Sequence, residues 1–394
     1  MSSLTLLKNA DVYAPAHLGQ RDILVAAGQV VAIEPLIDSA HYPHAHVVDL
    51  NNARVVPGLV DGHLHQIGGC GLEGYNSRAP EIWAGEIAAA GITTSVATPG
   101  IENLTKNMDG VLAKAYALEA DGLSAFAFIG GFRKPFMSVT GSVRRDLYLV
   151  EKIIGVKVAL GDAVASRFTD PELVELAAEL EWAARATGKA CIMHAHLGSL
   201  PDPAAQLLHA IRQSNASPER FQATHGNNTQ ATLAAAVELT REGCVVDLNP
   251  LLDPERGVTR SIGVRDAVPF LLDAGVELSM LTMSTDANAS VPRKRADGTR
   301  GPYLKHLGTL WEGVMELVER AKLPFEDVLP LATSNPARVL QLHGKGRIDL
   351  GMDADLIVLD SDNRIRNVYA RGALVVEDTR PLIRSMYEIG ETDD

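Results

Sequence analysis

A chain of 394 residues with 46% hydrophobic and 22% charged residues has an ordinary globular composition, and its length suits one barrel-sized domain plus a smaller appendage. Its formal net charge of −13 argues against nucleic acid as the main partner, because backbone phosphates are repelled over most of the surface. No run of about eighteen apolar residues marks a membrane helix, the start MSSLTLLKNADVYAP has no leader pattern, and Cys70, Cys191 and Cys244 form no CxxC pair, so a zinc ribbon and a disulfide framework are disfavoured and a cytoplasmic location is expected.

The N-terminal residues read as short strands and turns: Leu4–Leu7, Asp22–Ala26 after a turn at His17–Gln20, and Val30–Ile33 after Gly28. His41, His44 and His46 lie in a polar connection and read as a solvated loop. From residue 57 the texture changes to apolar strand-like runs alternating with helical patterns, the signature of βα units. Eight buried strands are expected at Val55–Asp61, Thr93–Thr98, Ala125–Ile129, Gly155–Ala159, Ala190–His194, Gln222–His225, Val245–Asn249 and Leu278–Ser284. Helices are expected between and after them, among them Pro171–Thr187, Pro203–Gln213, Gln230–Glu242 and Gly308–Ala321. Eight such units make an α/β chain with a (β/α)8 TIM barrel. The last strands, Asp355–Leu359, Ile365–Ala370 and Ala373–Glu377, return to the texture of the start. The organisation expected is therefore a barrel over 57–340, with 1–56 and 341–394 combining as one small discontinuous β-sandwich. The tail beyond Arg380 is expected to be ordered only if something packs on it.

Functional side chains of such a barrel stand where its strands end, on the C-terminal face. Strand 1 ends in Asp61-Gly62-His63-Leu64-His65, strand 4 carries Lys157, strand 5 ends in His194-Ala195-His196, strand 6 reaches His225, and strand 8 reaches Asp286. His63 and His65 are two apart on a strand, so their imidazoles point to one side and can share a divalent ion. Lys157 is the odd member, since an ammonium is repelled by a cationic centre. Either it points away and is structural, or carbon dioxide converts it to a carbamate whose two oxygens can bridge two ions. Asp286 suits a general base that takes a proton from a metal-acidified water and passes it to a leaving amine, and it can serve as a ligand as well.

Several motifs resemble the isoaspartyl dipeptidases, amidohydrolase-superfamily enzymes that cleave β-aspartyl dipeptides. They are VVPGLVDGHLHQIGGCG at 55–71, GVK at 155–157, HLG at 196–198, ATHGN at 223–227 and STDANAS at 284–290, with TGSV at 140–143 and YARGALVVED at 369–378. Their order and separations agree up to His225, with an apparent insertion before strand 8. The resemblance implies that His63 and His65 bind one zinc and that His196 and His225 bind the other. Carboxylated Lys157 then bridges the two, and Asp286 is both a ligand and the proton shuttle. It also selects His196 over His194, a choice the spacing leaves open. A small-molecule substrate and a homo-oligomer, commonly an octamer, follow from the same likeness.

The substrate shell departs from that pattern. The tyrosine whose hydroxyl polarises the scissile carbonyl in the family falls on Phe132, and the two arginines that contact substrate carboxylates fall near Val164 and on Asn228. Glu73 stands close to the place of the glutamate that holds the substrate amino group, and Ser290 keeps the family's serine after the catalytic aspartate. Two cationic loops are candidates to compensate, Phe132-Arg133-Lys134 and Arg293-Lys294-Arg295 with Arg300 and Lys305, although such runs also suit a solvated lid. Arg133 is the replacement anchor expected.

The expected function is metal-dependent hydrolysis of an amide bond in a small molecule, isoaspartyl dipeptidase-like. The alternative is hydrolysis of a cyclic amide, imide or other C–N bond by the same dinuclear centre. A mononuclear deaminase would leave Lys157 without a purpose, and a non-catalytic scaffold fits poorly with every ligand position being filled.

Overall fold

The computed structural model describes residues 4–388. Short N-terminal strands come first: β1 (Leu4–Tyr13), β2 (His17–Ala26), β3 (Gln29–Glu34), β4 (His46–Asp49) and β5 (Arg54–Pro57). The barrel strands follow as β6 (Leu59–Leu64), β7 (Ile92–Ala97), β8 (Ser124–Gly131), β9 (Ile153–Leu160), β10 (Ile192–Leu197), β11 (Phe221–Thr224), β12 (Val245–Leu248) and β13 (Leu281–Met283). A hairpin, β14 (Ser290–Lys294) and β15 (Arg300–Leu304), stands on the barrel mouth. The chain ends in β16 (Leu356–Leu359), β17 (Ile365–Ala370), β18 (Ala373–Glu377) and β19 (Arg380–Pro381).

Strands β6 to β13 pair in chain order, all parallel, with helices between them, as a TIM barrel requires. The seam closes just beyond β13, where Leu64 bridges Ala287, His65 N donates to Ala287 O (3.1 Å) and Asp286 N donates to His63 O (2.9 Å). The helix Asp170–Thr187 shows how the outer layer is specified. Thr169 and Glu172 form a capping box, Gly188 ends the helix in the left-handed conformation, and Leu173, Leu176, Ala177, Leu180 and Ala184 make the stripe that it buries.

The terminal strands form one nine-stranded sheet in the order β19-β18-β17-β16-β5-β1-β2-β3, with β4 beside β1. The antiparallel pairing of β5 with β16 ties the two ends of the chain together. The β2–β3 turn rests on the β17–β18 turn, where a Cβ on Gly28 would lie 3.0 Å from the carbonyl oxygen of Arg371. The sheet thus folds back over its own core of Leu7, Val12, Ile23, Val30, Leu356 and Tyr369.

Several details differ from the sequence reading: His46 begins β4 rather than lying in a loop, and the expected strand Leu278–Ser284 opens as a 3-10 turn at Leu278–Met280 before β13. The reversal before β2 falls at Ala14–Ala16, where Pro15 offers no backbone donor to extend the ladder, and His17 already belongs to the strand. The apolar run Val55–Asp61 is also not one strand. It breaks at Gly58, where the chain crosses from the terminal sheet into the barrel so closely that a Cβ would lie 2.2 Å from Thr93 Oγ1.

Beyond Arg380 the chain is held by Leu382 N donating to Val375 O (2.8 Å) and Ser385 Oγ donating to Asp121 Oδ2 (2.6 Å). Cys70, Cys191 and Cys244 are free and buried. Among the described residues no helix is long and apolar enough to cross a membrane.

Phe128, fully buried inside the barrel, stacks on His194 with ring centroids 4.9 Å apart. Phe128→Ala is expected to cost about 3–5 kcal/mol through lost transfer energy and the cavity left behind, read as a lower denaturant midpoint at unchanged slope.

Candidate metal centre

The strand ends converge on a cavity of about 360 Å³ at the barrel mouth. His63, His65, Lys157, His196, His225 and Asp286 all line it, although they are scattered over more than two hundred residues of chain. The alternation of β6 sends both His63 and His65 inward, while Leu64 between them packs in the hydrophobic layer. Asp286 is the hub. Its Oδ1 lies 2.9 Å from His65 Nε2 and 3.3 Å from His63 Nε2, and its Oδ2 lies 3.5 Å from His225 Nε2 and within hydrogen-bond contact of Lys305 Nζ. Asp286 and His225 both adopt left-handed backbone, at φ 49° and 66°, a cost that a site-forming loop can carry.

Burial decides the protonation of most of these groups. It drives His63 and His225 well below the ordinary imidazole range and lowers His196, against the opposing pull of Asp162, so these rings present free lone pairs at neutral pH. It also brings the Lys157 amine down to about 7, with Asp286 and Asp247 opposing. Burial works against the charge of Asp286, yet Lys305, His63, His225 and the hydrogen bond from His65 outweigh it and hold the carboxyl well below its usual range.

These residues fit a divalent ion. Ligand atoms of His63, His225 and Asp286 lie within 4.8 Å of one another, and neutral imidazoles with a carboxylate are the donor set of zinc and similar ions. Among the described residues the buried Nδ1 atoms of His65 and His225 have no hydrogen-bond partner. Lys157 Nζ lies 3.1 Å from His63 Nε2, in the midst of the cluster. A buried lysine brought to about 7 has a neutral amine fraction at physiological pH, which is the form that reacts with carbon dioxide.

A layer of carboxylates and hydroxyls beneath the cavity orients the ligands. Asp61 Oδ1 accepts from the backbone N–H groups of His63 (3.1 Å) and Thr285 (3.2 Å), and its Oδ2 accepts from Thr285 Oγ1 (2.5 Å). Asp247 accepts from Thr224, Ser284 and Thr282 hydroxyls at 2.6–2.8 Å, and Thr224 Oγ1 sits 3.4 Å from His63 Nδ1. Such partners fix imidazole orientation around a metal. His194 belongs to this layer and does not line the cavity. Its Nδ1 lies 2.8 Å from Gln222 Oε1 and its Nε2 3.1 Å from His63 Nδ1.

Of the residues expected to contact substrate, Glu73, Phe132, Asn228 and Ser290 line the cavity. The Phe132 ring lies 4.9 Å from His196 and offers no donor, and Asn228 Nδ2 donates to Ser199 Oγ (3.3 Å). Arg133 does not line this cavity. Its guanidinium donates to Val164 O (3.1 Å), and it faces a neighbouring depression with Arg78 and Lys134, apart from the cavity that the expected anchor would have to reach. Sequence reasoning did not single out Asp162, Asp61 or Asp247, and it named Lys305 only as one of the cations in the segment after strand 8. Asp61 was within reach, since it stands two residues before His63 on the same side of the strand. Which cation of the segment after strand 8 reaches the cavity was not, because the position of Lys305 depends on the length and fold of the hairpin before it.

A parallel eight-stranded barrel with neutral imidazoles, a lysine and an ionised carboxylate gathered at its mouth has the layout of a barrel hydrolase. The sequence profile of the amidohydrolase family matches residues 54–377, and the chain belongs to that family. A beta-aspartyl dipeptidase from Fervidobacterium islandicum AW-1, solved in complex with the beta-Asp-Leu dipeptide, superposes with a TM-score of 0.88 at 29% identity, over 96% of this chain and 98% of that one. The L-hydantoinase (dihydropyrimidinase) of Arthrobacter aurescens shares the fold, with a TM-score of 0.69 at 17% identity over 96% and 97% of the two chains. A dihydroorotase of Lactiplantibacillus plantarum is 25% identical over 406 residues, covering 91% of this chain and 90% of its own length.

Proposed function

We propose that this protein hydrolyses an amide bond of a small zwitterionic molecule at a dinuclear zinc centre, in the manner of a β-aspartyl dipeptidase. One observation carries the reading: Asp286 stands with its carboxylate against the imidazoles of His63, His65 and His225 in a single cavity that Lys157 also enters. The likeness to the Fervidobacterium enzyme supports the same substrate class. In this reading His63 and His65 would hold one ion and His196 and His225 the other, with a carboxylated Lys157 and Asp286 as further ligands.

Bound there, such ions would supply a Lewis acid for the carbonyl oxygen and a water acidified toward neutral pH. Asp286 accepts the proton of the attacking water and delivers it to the leaving nitrogen as the C–N bond breaks, yielding a carboxylic acid and an amine. Asp61 and Asp247 keep the ligand strands in register while the proton moves. Glu73, exposed at the mouth, offers a carboxylate to a substrate ammonium.

A second reading, hydrolysis of a cyclic amide or imide, draws on two observations: the dihydroorotase relative and the absence of a hydroxyl at Phe132. Turnover of β-Asp-Leu, dihydroorotate and hydantoin by metal-loaded protein separates the two. Preference for β-Asp-Leu, abolished by chelation and restored by zinc, is expected. Preference for either ring selects the second reading, and undiminished hydrolysis by His63→Asn would sink the metal-centred account altogether.

A further inference from the structure

The cavity is short of cations for a substrate that carries a carboxylate. The two arginines that the isoaspartyl dipeptidase resemblance implies fall near Val164 and on Asn228, and Arg133 is turned away onto the carbonyl of Val164. The hairpin's arginines are engaged elsewhere, Arg293 over the Tyr303 ring at 4.2 Å and Arg300 on Thr259 Oγ1 at 2.8 Å. Among the described residues only two cationic side chains line the cavity, Lys157 and Lys305.

Lys157 is committed to the interior of the imidazole cluster. Lys305 enters from the opposite direction. It follows directly on β15, and its backbone is clamped to the loop that carries Asp286, with Lys305 N donating to Ala289 O (2.9 Å) and Asn288 N donating to Lys305 O (3.0 Å). The side chain is 5% exposed, and its ammonium donates to Asp286 Oδ2, which is its one hydrogen-bond partner among the described residues. An ammonium has three N–H donors, so two remain for whatever occupies the cavity. A cation held this dry and with spare donors favours an anion, and the contact is stronger here than at the surface.

We infer that Lys305 is the anchor for a substrate carboxylate close to the scissile amide. The inference takes its substrate from the amide-hydrolase reading above. The hairpin β14–β15 is then a specificity element, because its length sets where the ammonium stands. The carboxylate can come from the acyl half or the amine half of the substrate.

The test uses metal-loaded wild type, Lys305→Met, Lys305→Gln and Lys305→Arg, each checked for native metal content. Three substrates are compared: β-Asp-Leu, β-Ala-Leu, which lacks the acyl-half carboxylate, and β-Asp-leucinamide, which lacks that of the amine half. Loss of one charge-assisted contact is expected to lower kcat/KM on β-Asp-Leu by about 10- to 100-fold, mainly through KM, in both neutral variants. The loss should shrink to less than about fivefold on the one analogue that lacks the contacted carboxylate, and Lys305→Arg should recover most of the activity. Succinate binding, followed by calorimetry, should weaken by about tenfold or more in the neutral variants. Equal losses on all three substrates, or unchanged succinate affinity, would overturn the assignment. If wild type turns over none of the three, the amide reading fails while the succinate comparison still decides for or against Lys305.

Discussion

Asp286→Asn is expected to lower kcat/KM by about 10³- to 10⁴-fold, the upper range for a lost general base, with the fold intact. Asparagine keeps the shape and one hydrogen-bond acceptor of the side chain but neither the negative charge nor the basicity. In the native cavity that charge faces His63, His65, His225 and Lys305 at once. Its removal leaves Lys305 buried without its carboxylate partner, so some loss of stability accompanies the loss of rate. Steady-state kinetics with metal analysis and a thermal melt check the prediction. An Asp286→Asn protein that holds its metals and retains more than a tenth of wild-type activity would place the proton transfer elsewhere.

Lys157→Met should lower activity by more than the ~100-fold that removing a partner of a metal ligand costs, because it removes a proposed bridging ligand outright, and it should lower metal content per chain. The wild-type residue makes a second demand. A carbamate forms from the neutral amine, so metal-free protein given zinc in buffer stripped of carbon dioxide should stay inactive until bicarbonate is added. With the amine brought to about 7 by burial, the neutral fraction grows as pH rises through 7. At fixed dissolved carbon dioxide, the rate of reactivation should therefore climb between about pH 6 and 8 and level off above. Equal reactivation with and without carbon dioxide would exclude the carbamate.

The sequence made the barrel legible because its strands are fully buried and read as continuous apolar runs, and because the strand-end motifs fall at their C-terminal ends. His63 and His65 declare themselves by a spacing of two, which the pleat converts into a shared direction. What depends on a handover between elements was harder to read. Val55–Asp61 looks like one strand because Pro57 and Gly58 sit within an apolar run, and only the proximity of Thr93 shows why a glycine is needed there. The choice between His194 and His196 was equally closed to spacing, since both point inward and only the depth of each along β10 separates them. Arg133 and Lys305 mark the limit most plainly. Both lie in cationic segments after strand ends, yet one turns onto a backbone carbonyl and the other reaches Asp286. Loop conformation, set by contacts distant in sequence, made that difference.

The barrel seam has a consequence for how the molecule is made. The first strand meets the end of the last through Leu64 and Ala287, and the same few residues on either side, His63, His65 and Asp286, are those gathered around the cavity. Loop-closure entropy over more than two hundred residues makes this contact a late one in folding. A nascent chain, or one stalled before its eighth strand, therefore has no assembled centre to capture a stray metal ion, and loading becomes a check on the finished fold.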